Sequence, residues 1–210
     1  MVRALLLVPA DARSIERAAA LLRRSGVVAF PTDTVYGLGA HSAKASGIGK
    51  LYLVKERDWL KAIPVLLGRV EDLSLVASSI PELAWRLADR FWPGGVTLVV
   101  PRAATVLDVL TGGGDSVAVR VPAHPVALEL IRALGAPLAA TSANLSGQSE
   151  AVTAEEVRHA LGSRVGMILD GGRCPGGIPS TVVDVTVSPA VIRRRGAMVA
   201  QVEELIAQMS

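Results

Sequence analysis

Short apolar runs alternate with segments of helical period along the whole chain, and that alternation admits few architectures other than an α/β fold. Helical spacing runs from Ser14 to Arg24, Ala43 to Val54, Pro81 to Phe91, Pro125 to Leu134, Ala154 to Leu161 and Gln201 to Met209. Extended runs span Val27 to Phe30, Ile63 to Leu67, Val96 to Val100, Val117 to Val121, Leu138 to Ala140, Val165 to Leu169, Thr181 to Val185 and Ala190 to Arg193. Gly26 falls where the first helix would be capped, and Thr153 with Glu156 has the spacing of a capping box. No linker, repeat or low-complexity stretch divides the chain, so residues 1–210 are read as one domain. The turn-rich pieces Thr111 to Asp115 and Gly171 to Pro179 precede strands that carry polar residues, and they read either as plain glycine-rich turns between strands or as rims of a pocket.

Half of the 210 residues are apolar and one fifth are charged, which suits a chain that buries a substantial core and argues against disorder. No apolar run approaches the ~20 residues needed to span a bilayer, and the start MVRALLLVPA is too short for a signal peptide, so the expected location is the cytoplasm. Cys174 is the single cysteine, which excludes an internal disulfide and a paired-thiolate metal site. A net charge of +3 permits anionic ligands without demanding them. The three Trp, two Tyr and two Phe are not interleaved with basic residues as in a platform that stacks single-stranded nucleic acid. His41, His124 and His159 have no metal-ligand spacing.

The polar words cluster at predicted strand exits. In FPTDTVYGLG, Pro31 ends the ladder of the Val27 to Phe30 run, and Thr32, Asp33, Thr34 and Tyr36 follow where α/β sheets hold ligands. Nucleotide signatures of the P-loop and dinucleotide types are absent, so a bound nucleotide would rely on side chains. Lys55 and Arg57, read as extended, would present both cationic heads on one face roughly 7 Å apart, a separation suited to a triphosphate. An isolated K-x-R is more often a solvated cluster, here with Glu56 and Asp58. Along SVAVRVP, Val117, Val119 and Val121 face a core, while Ser116, Ala118 and Arg120 share the other face. There Arg120 either offers a rigid donor fork to a carboxylate or snorkels to solvent as an edge arginine. TSANLSG sets Thr141, Ser142 and Asn144 after an apolar segment, though such clusters commonly form turns or helix caps. WPGG at 92 to 95 reads as a structural turn that closes a helix.

These words, with KER at 55 to 57, STVVD at 180 to 184 and RRG at 194 to 196, resemble the Sua5/YrdC/TsaC family of threonylcarbamoyl-AMP synthases from about residue 14 to residue 198, in its short, TsaC-like form without a second C-terminal domain. The resemblance implies a twisted mixed β-sheet with flanking helices and a large basic cavity. It implies formation of threonylcarbamoyl-AMP and pyrophosphate from L-threonine, bicarbonate and ATP, with Mg²⁺ bridging the phosphates and no metal cage of protein ligands. A downstream, TsaD-like transferase would pass the threonylcarbamoyl group to adenosine 37 of tRNA. Thr34, Arg120, the Ala140 backbone and Ser180 then go to threonine. Lys55, Arg57, Lys61, Ser116, Ser142, Asn144 and Arg194 go to ATP, and no residue is singled out as a general acid or base.

The chain departs from the family in two places. Many relatives have Pro after K-x-R and a threonine-binding His further on; here Asp58 follows, and Val65, Leu66 and Leu67 occupy the region of that His. Two competing readings stand beside the synthase. One is a paralogue that forms carbamoyl-adenylate in hydrogenase maturation, usually within much longer chains. The other is a non-catalytic protein that binds double-stranded RNA or tRNA.

Overall fold

Helical period, caps and short apolar runs become regular structure in the computed structural model, which describes residues 6–175 and 178–209. In chain order the elements are β1 (Leu6–Pro9), α1 (Ala12–Arg23), β2 (Val28–Phe30), β3 (Gly37–His41), α2 (Ala45–Lys55), β4 (Val65–Leu66), α3 (Glu82–Phe91), β5 (Val96–Pro101), α4 (Asp108–Thr111), β6 (Ser116–Arg120), α5 (Pro125–Leu134), β7 (Leu138–Ser142), α6 (Ala154–Leu161), β8 (Met167–Asp170), β9 (Thr181–Asp184), β10 (Val191–Arg194) and α7 (Val199–Gln208). Met1 to Leu5, part of the apolar start, and Gly176 with Gly177, part of the Gly171 to Pro179 turn, lie outside the described residues.

The helices begin and end for identifiable reasons. Asp11 caps α1 by accepting the Ser14 N–H at 2.8 Å. The chain leaves α1 by a Schellman turn: the Gly26 N–H reaches Leu21 O at 2.9 Å, and Ser25 takes the left-handed conformation. Gly26 is needed for space, since a Cβ there would lie 2.5 Å from Leu21 Cγ. Thr153 and Glu156 close the predicted capping box of α6. Pro125 opens α5 and Gly135, at φ 71°, closes it.

One mixed sheet of ten strands runs through the described residues in the order β1-β8-β2-β3-β7-β4-β6-β5-β9-β10. The pairs β1/β8, β2/β8, β4/β6 and β5/β9 are parallel, and the remaining neighbours are antiparallel. Period-two alternation sorts each strand between two cores. Val28, Phe30, Leu138, Met167 and Leu169 face Ile15, Ala18, Ala19 and Leu22 of α1 and Leu130, Ile131 and Leu134 of α5. Ala29, Ala139, Ile168, Val117, Val119 and Val121 turn to the opposite core, with residues of α2, α3, α6 and α7. Burying a side chain such as Leu22 or Leu130 completely stabilises by about 1.5–3 kcal/mol, so these helices hold the sheet's curvature.

β3 is not evident in the sequence, because Gly37 and Gly39 weaken a strand pattern. Their bare Cα atoms admit the Phe30 ring, which a Cβ would meet at 2.9 Å from Gly37 and 2.8 Å from Gly39. K-x-R also differs from its extended reading. Lys55 is the last residue of α2, Glu56 takes a left-handed conformation at φ 52°, and the Arg57 N–H returns to Tyr52 O at 3.0 Å. Likewise, Thr111 to Asp115 is not a pocket rim. It closes α4 at Gly112, where a Cβ would lie 2.7 Å from Leu60 O.

Candidate functional site

The face that α1 and α5 cover at one end of the sheet continues over β6, β5 and β9, where its side chains become small or polar. Ala118, Arg120, Thr97 and Val182 there floor a cavity of about 350 Å³, at the lower end of the range for small-molecule sites. The turn between β2 and β3 supplies Thr32, Thr34 and Val35; the end of β7 supplies Ala140, Thr141 and Ser142; Pro179, Ser180 and Arg194 close the far side. Arg57, Arg120, Arg194 and Glu150 are the ionisable lining residues besides Tyr36, three cations against one carboxylate. That balance suits an anionic ligand.

Arg120 is the most constrained of these groups. It ends β6, opposite Leu66 of β4, and is 8% exposed. Its Nε donates to Gly94 O at 2.7 Å and its Nη2 to Asp33 Oδ2 at 2.5 Å. Burial pushes the guanidinium below its usual pKa, opposed by the charge and hydrogen bond of Asp33. The WPGG turn is therefore more than a helix stop. Trp92 Nε1 donates to Val96 O at 2.6 Å and the Gly94 N–H to Val121 O at 2.9 Å, which holds the Gly94 carbonyl against Arg120.

Across the floor, Ser180 Oγ lies 2.8 Å from Thr97 Oγ1 and accepts from Arg194 Nη2 at 2.9 Å, while Arg194 Nε donates to Ser180 O at 3.0 Å. In the β2–β3 turn, Thr34 N donates to Thr32 Oγ1 at 3.1 Å, and Thr32 Oγ1 donates to Val35 O at 2.6 Å. This hydroxyl-closed turn leaves Thr34 at the cavity wall. Tyr36 also lines the cavity; its hydroxyl donates to Gly172 O at 2.8 Å, and burial pushes its pKa up to about 12.

Seven predicted site residues, Thr34, Arg57, Arg120, Ala140, Ser142, Ser180 and Arg194, line this cavity together. Arg57 approaches it with its Nη2 on Ala62 O at 2.8 Å and its Nε on Lys61 O at 3.2 Å. Ala140 lends its N–H to Pro64 O at 2.9 Å. Lys55, Lys61, Ser116 and Asn144 lie outside the lining. Lys55 is 2% exposed, and its Nζ donates to Ser142 O, to Asn144 O at 2.7 Å and to Asn144 Oδ1 at 3.2 Å. Burial, with help from the Arg57 charge, lowers its pKa to about 8. The Asn144 amide donates to Leu145 O and Gln148 O, so the side chain closes the TSANLSG loop on itself. Lys61 is exposed, and Ser116 begins β6 opposite Pro101.

Three lining residues, Thr97, Pro64 and Glu150, escaped the sequence reading, as did Asp33 in its role as the partner of Arg120. Thr97 had a signal, a lone hydroxyl in the apolar run VTLVV. Asp33 and Arg120 are 87 residues apart and had none. Leu66, in the segment where the family resemblance leads to the expectation of a His, puts an isobutyl group into this part of the wall. Among the described residues no cluster of three or more His, Cys, Asp and Glu is placed to hold a metal ion. Among them, too, no helix is long and apolar enough to cross a membrane.

The chain matches known proteins in sequence and in overall fold. A profile of the Sua5/YciO/YrdC family, described as "Telomere recombination", matches residues 20–196. The chain is 40% identical over 196 residues to the threonylcarbamoyl-AMP synthase of Pyrococcus abyssi, covering 93% of this chain and 58% of that one. It is 42% identical over 194 residues to the threonylcarbamoyl-AMP synthase of Bacillus subtilis, covering 91% and 56%. The chain thus spans a little over half the length of these curated relatives. The crystal structure of P. abyssi Sua5 complexed with L-threonine superposes with a TM-score of 0.91 at 39% identity, covering 97% of this chain and 60% of that one.

Proposed function

We propose that this chain, which belongs to the Sua5/YciO/YrdC family, makes threonylcarbamoyl-AMP and pyrophosphate from L-threonine, bicarbonate and ATP. The observation that carries the reading is the convergence of Arg57, Arg120 and Arg194 with Thr34, Ser142 and Ser180 on one cavity, in a chain similar throughout to proteins named for that reaction.

In this reading the amino-acid carboxylate pairs with Arg120, with Thr34, the Ala140 backbone and Ser180 around the rest of the molecule. Leu66, Pro64 and Ala118 supply an apolar wall. Arg57, Ser142 and Arg194 serve the ATP phosphates and ribose. Lys55 and Asn144 act on ATP through the 141–147 loop that they hold, and Lys61 and Ser116 are the outermost of the assigned ATP groups. Threonine amine and bicarbonate condense to a carbamate with loss of water. A carbamate oxygen then attacks the α-phosphorus, the bond to the β-phosphate oxygen breaks, and pyrophosphate leaves. Positioning and charge neutralisation by guanidinium groups suffice for such a displacement. Mg²⁺ would supply charge neutralisation at the phosphates, and Glu150 is the one carboxylate among the described lining residues that could help hold it.

The same reading puts the chain in the cytoplasm as one YrdC-like domain. Its product would go to a TsaD-like transferase that modifies adenosine 37 of tRNA, and the chain itself could contact tRNA. Incubation with ATP, Mg²⁺, labelled bicarbonate and each amino acid in turn tests the reading. A labelled adenylate is expected with threonine, and adenylates formed equally with every amino acid would overturn it.

A further inference from the structure

Arg120 carries five N–H donors, of which the structure ties down two, one to Gly94 O and one to Asp33 Oδ2. The remaining three are available to a ligand in the cavity that Arg120 lines. Asp33 itself is not a lining residue. Its neighbours Thr32 and Thr34 line the cavity, while its own side chain, 17% exposed, pairs with Arg120. The hydroxyl-closed turn fixes Asp33 in that place.

A role in stability alone explains this pair poorly. Asp33 Oδ1 is buried and, among the described residues, has no hydrogen-bond partner, so only one oxygen of the carboxylate is compensated, by Arg120. Buried ion pairs with such unmet needs stabilise a fold little compared with apolar side chains of similar volume. What the pair does accomplish is directional. The guanidinium is held between acceptors from two separate segments, Gly94 O at its Nε and Asp33 Oδ2 at its Nη2.

We infer that Asp33 is a positioning residue, which fixes the plane of the Arg120 guanidinium so that its free N–H groups meet a substrate carboxylate. The inference rests on the proposed synthase reading for the identity of that substrate, but the orientation of Arg120 can be read without any ligand. In the full chain labelled with ¹⁵N-arginine, Asp33→Ala is expected to speed hydrogen exchange at Arg120 Nε by at least about tenfold, because one of two anchors is lost. If Asp33→Ala does not fold, Asp33→Asn carries the test. It keeps an acceptor but not the charge, and an acceleration of at least about threefold is expected. Calorimetry adds the functional arm: L-threonine binds at least about tenfold more weakly to Asp33→Ala, and ATP within about threefold of the parent. Combined with Arg120→Ala, the Asp33 substitution adds no further loss of threonine affinity, since both remove one interaction. Unchanged exchange at Arg120 Nε, or additive losses in the double variant, would overturn the inference. A parent chain that binds no threonine, together with faster Arg120 exchange in Asp33→Ala, would remove the synthase reading and uphold the positioning role.

Discussion

Lys55 Nζ donates to the main-chain oxygen of Asn144 at 2.7 Å across 89 residues of sequence, and thereby joins the end of α2 to the loop after β7. The Lys55 carbonyl completes the joint by accepting the Ser146 N–H at 2.9 Å. Replacing Lys55 by Met leaves the oxygens of Ser142 and Asn144 without their donor. A loss of about 2–4 kcal/mol of stability is expected, together with weaker ATP binding as Ser142 loosens. Urea unfolding and an ATP titration check both.

The same lysine makes stability depend on pH. Its pKa in the folded chain is about 8 against 10.5 as a free side chain, so between those values the unfolded chain holds a proton that the folded one has released. Stability contributed by this group therefore rises as pH climbs from about 8 to about 10.5, because the cost of burying the ammonium disappears. The stability difference between the parent and Lys55→Met is expected to move in the parent's favour over that window by on the order of 1–3 kcal/mol. A difference that stays flat would show that Lys55 keeps an ordinary pKa.

Gly196 stands just after β10, where the chain passes Pro179 and Ser180 at the entry to β9. A Cβ there would lie 2.2 Å from Pro179 O and 2.7 Å from the Ser180 carbonyl carbon, both main-chain atoms that cannot swing aside. Gly196→Ala is expected to cost about 1–3 kcal/mol and to lower synthesis by displacing Ser180 from Arg194. Thermal unfolding and turnover, measured on the same preparation, check the two effects together.

Local rules made much of the fold legible in the sequence, and the family resemblance made part of the site so. The valines 117, 119 and 121 face one core as alternation requires, α6 begins at its capping box, and seven of the residues that the resemblance singles out line one cavity. What escaped the sequence depends on partners far along the chain. Gly37 and Gly39 form a strand because Phe30 lies across them. Lys55 is buried because a loop 87 to 89 residues later wraps its ammonium group. A K-x-R written on paper shows neither the left-handed Glu56 between its cations nor the different depths of the two heads.

Arg120 and Arg57 test the two ends of the cavity. Arg120→Ala is expected to weaken threonine binding by about 2–4 kcal/mol and ATP binding less. It also strands Asp33 as a buried, unpaired charge, so the melting temperature should fall. Arg57→Ala is expected to slow adenylate formation at least about tenfold, or ~1.4 kcal/mol, with threonine binding retained, and Arg57→Lys to recover part of it. Calorimetry of both ligands decides the assignment; loss of ATP binding with intact threonine binding in Arg120→Ala would reverse the two ends.

The central claim is that the cavity joins threonine, bicarbonate and ATP in one reaction, and pyrophosphate release tests it most directly. With Mg²⁺ and ATP present, release is expected only when both L-threonine and bicarbonate are added. Serine should support a rate several-fold lower, since the missing methyl group gives up on the order of 1 kcal/mol against the apolar wall. Equal release of pyrophosphate in the absence of threonine or of bicarbonate would contradict the account.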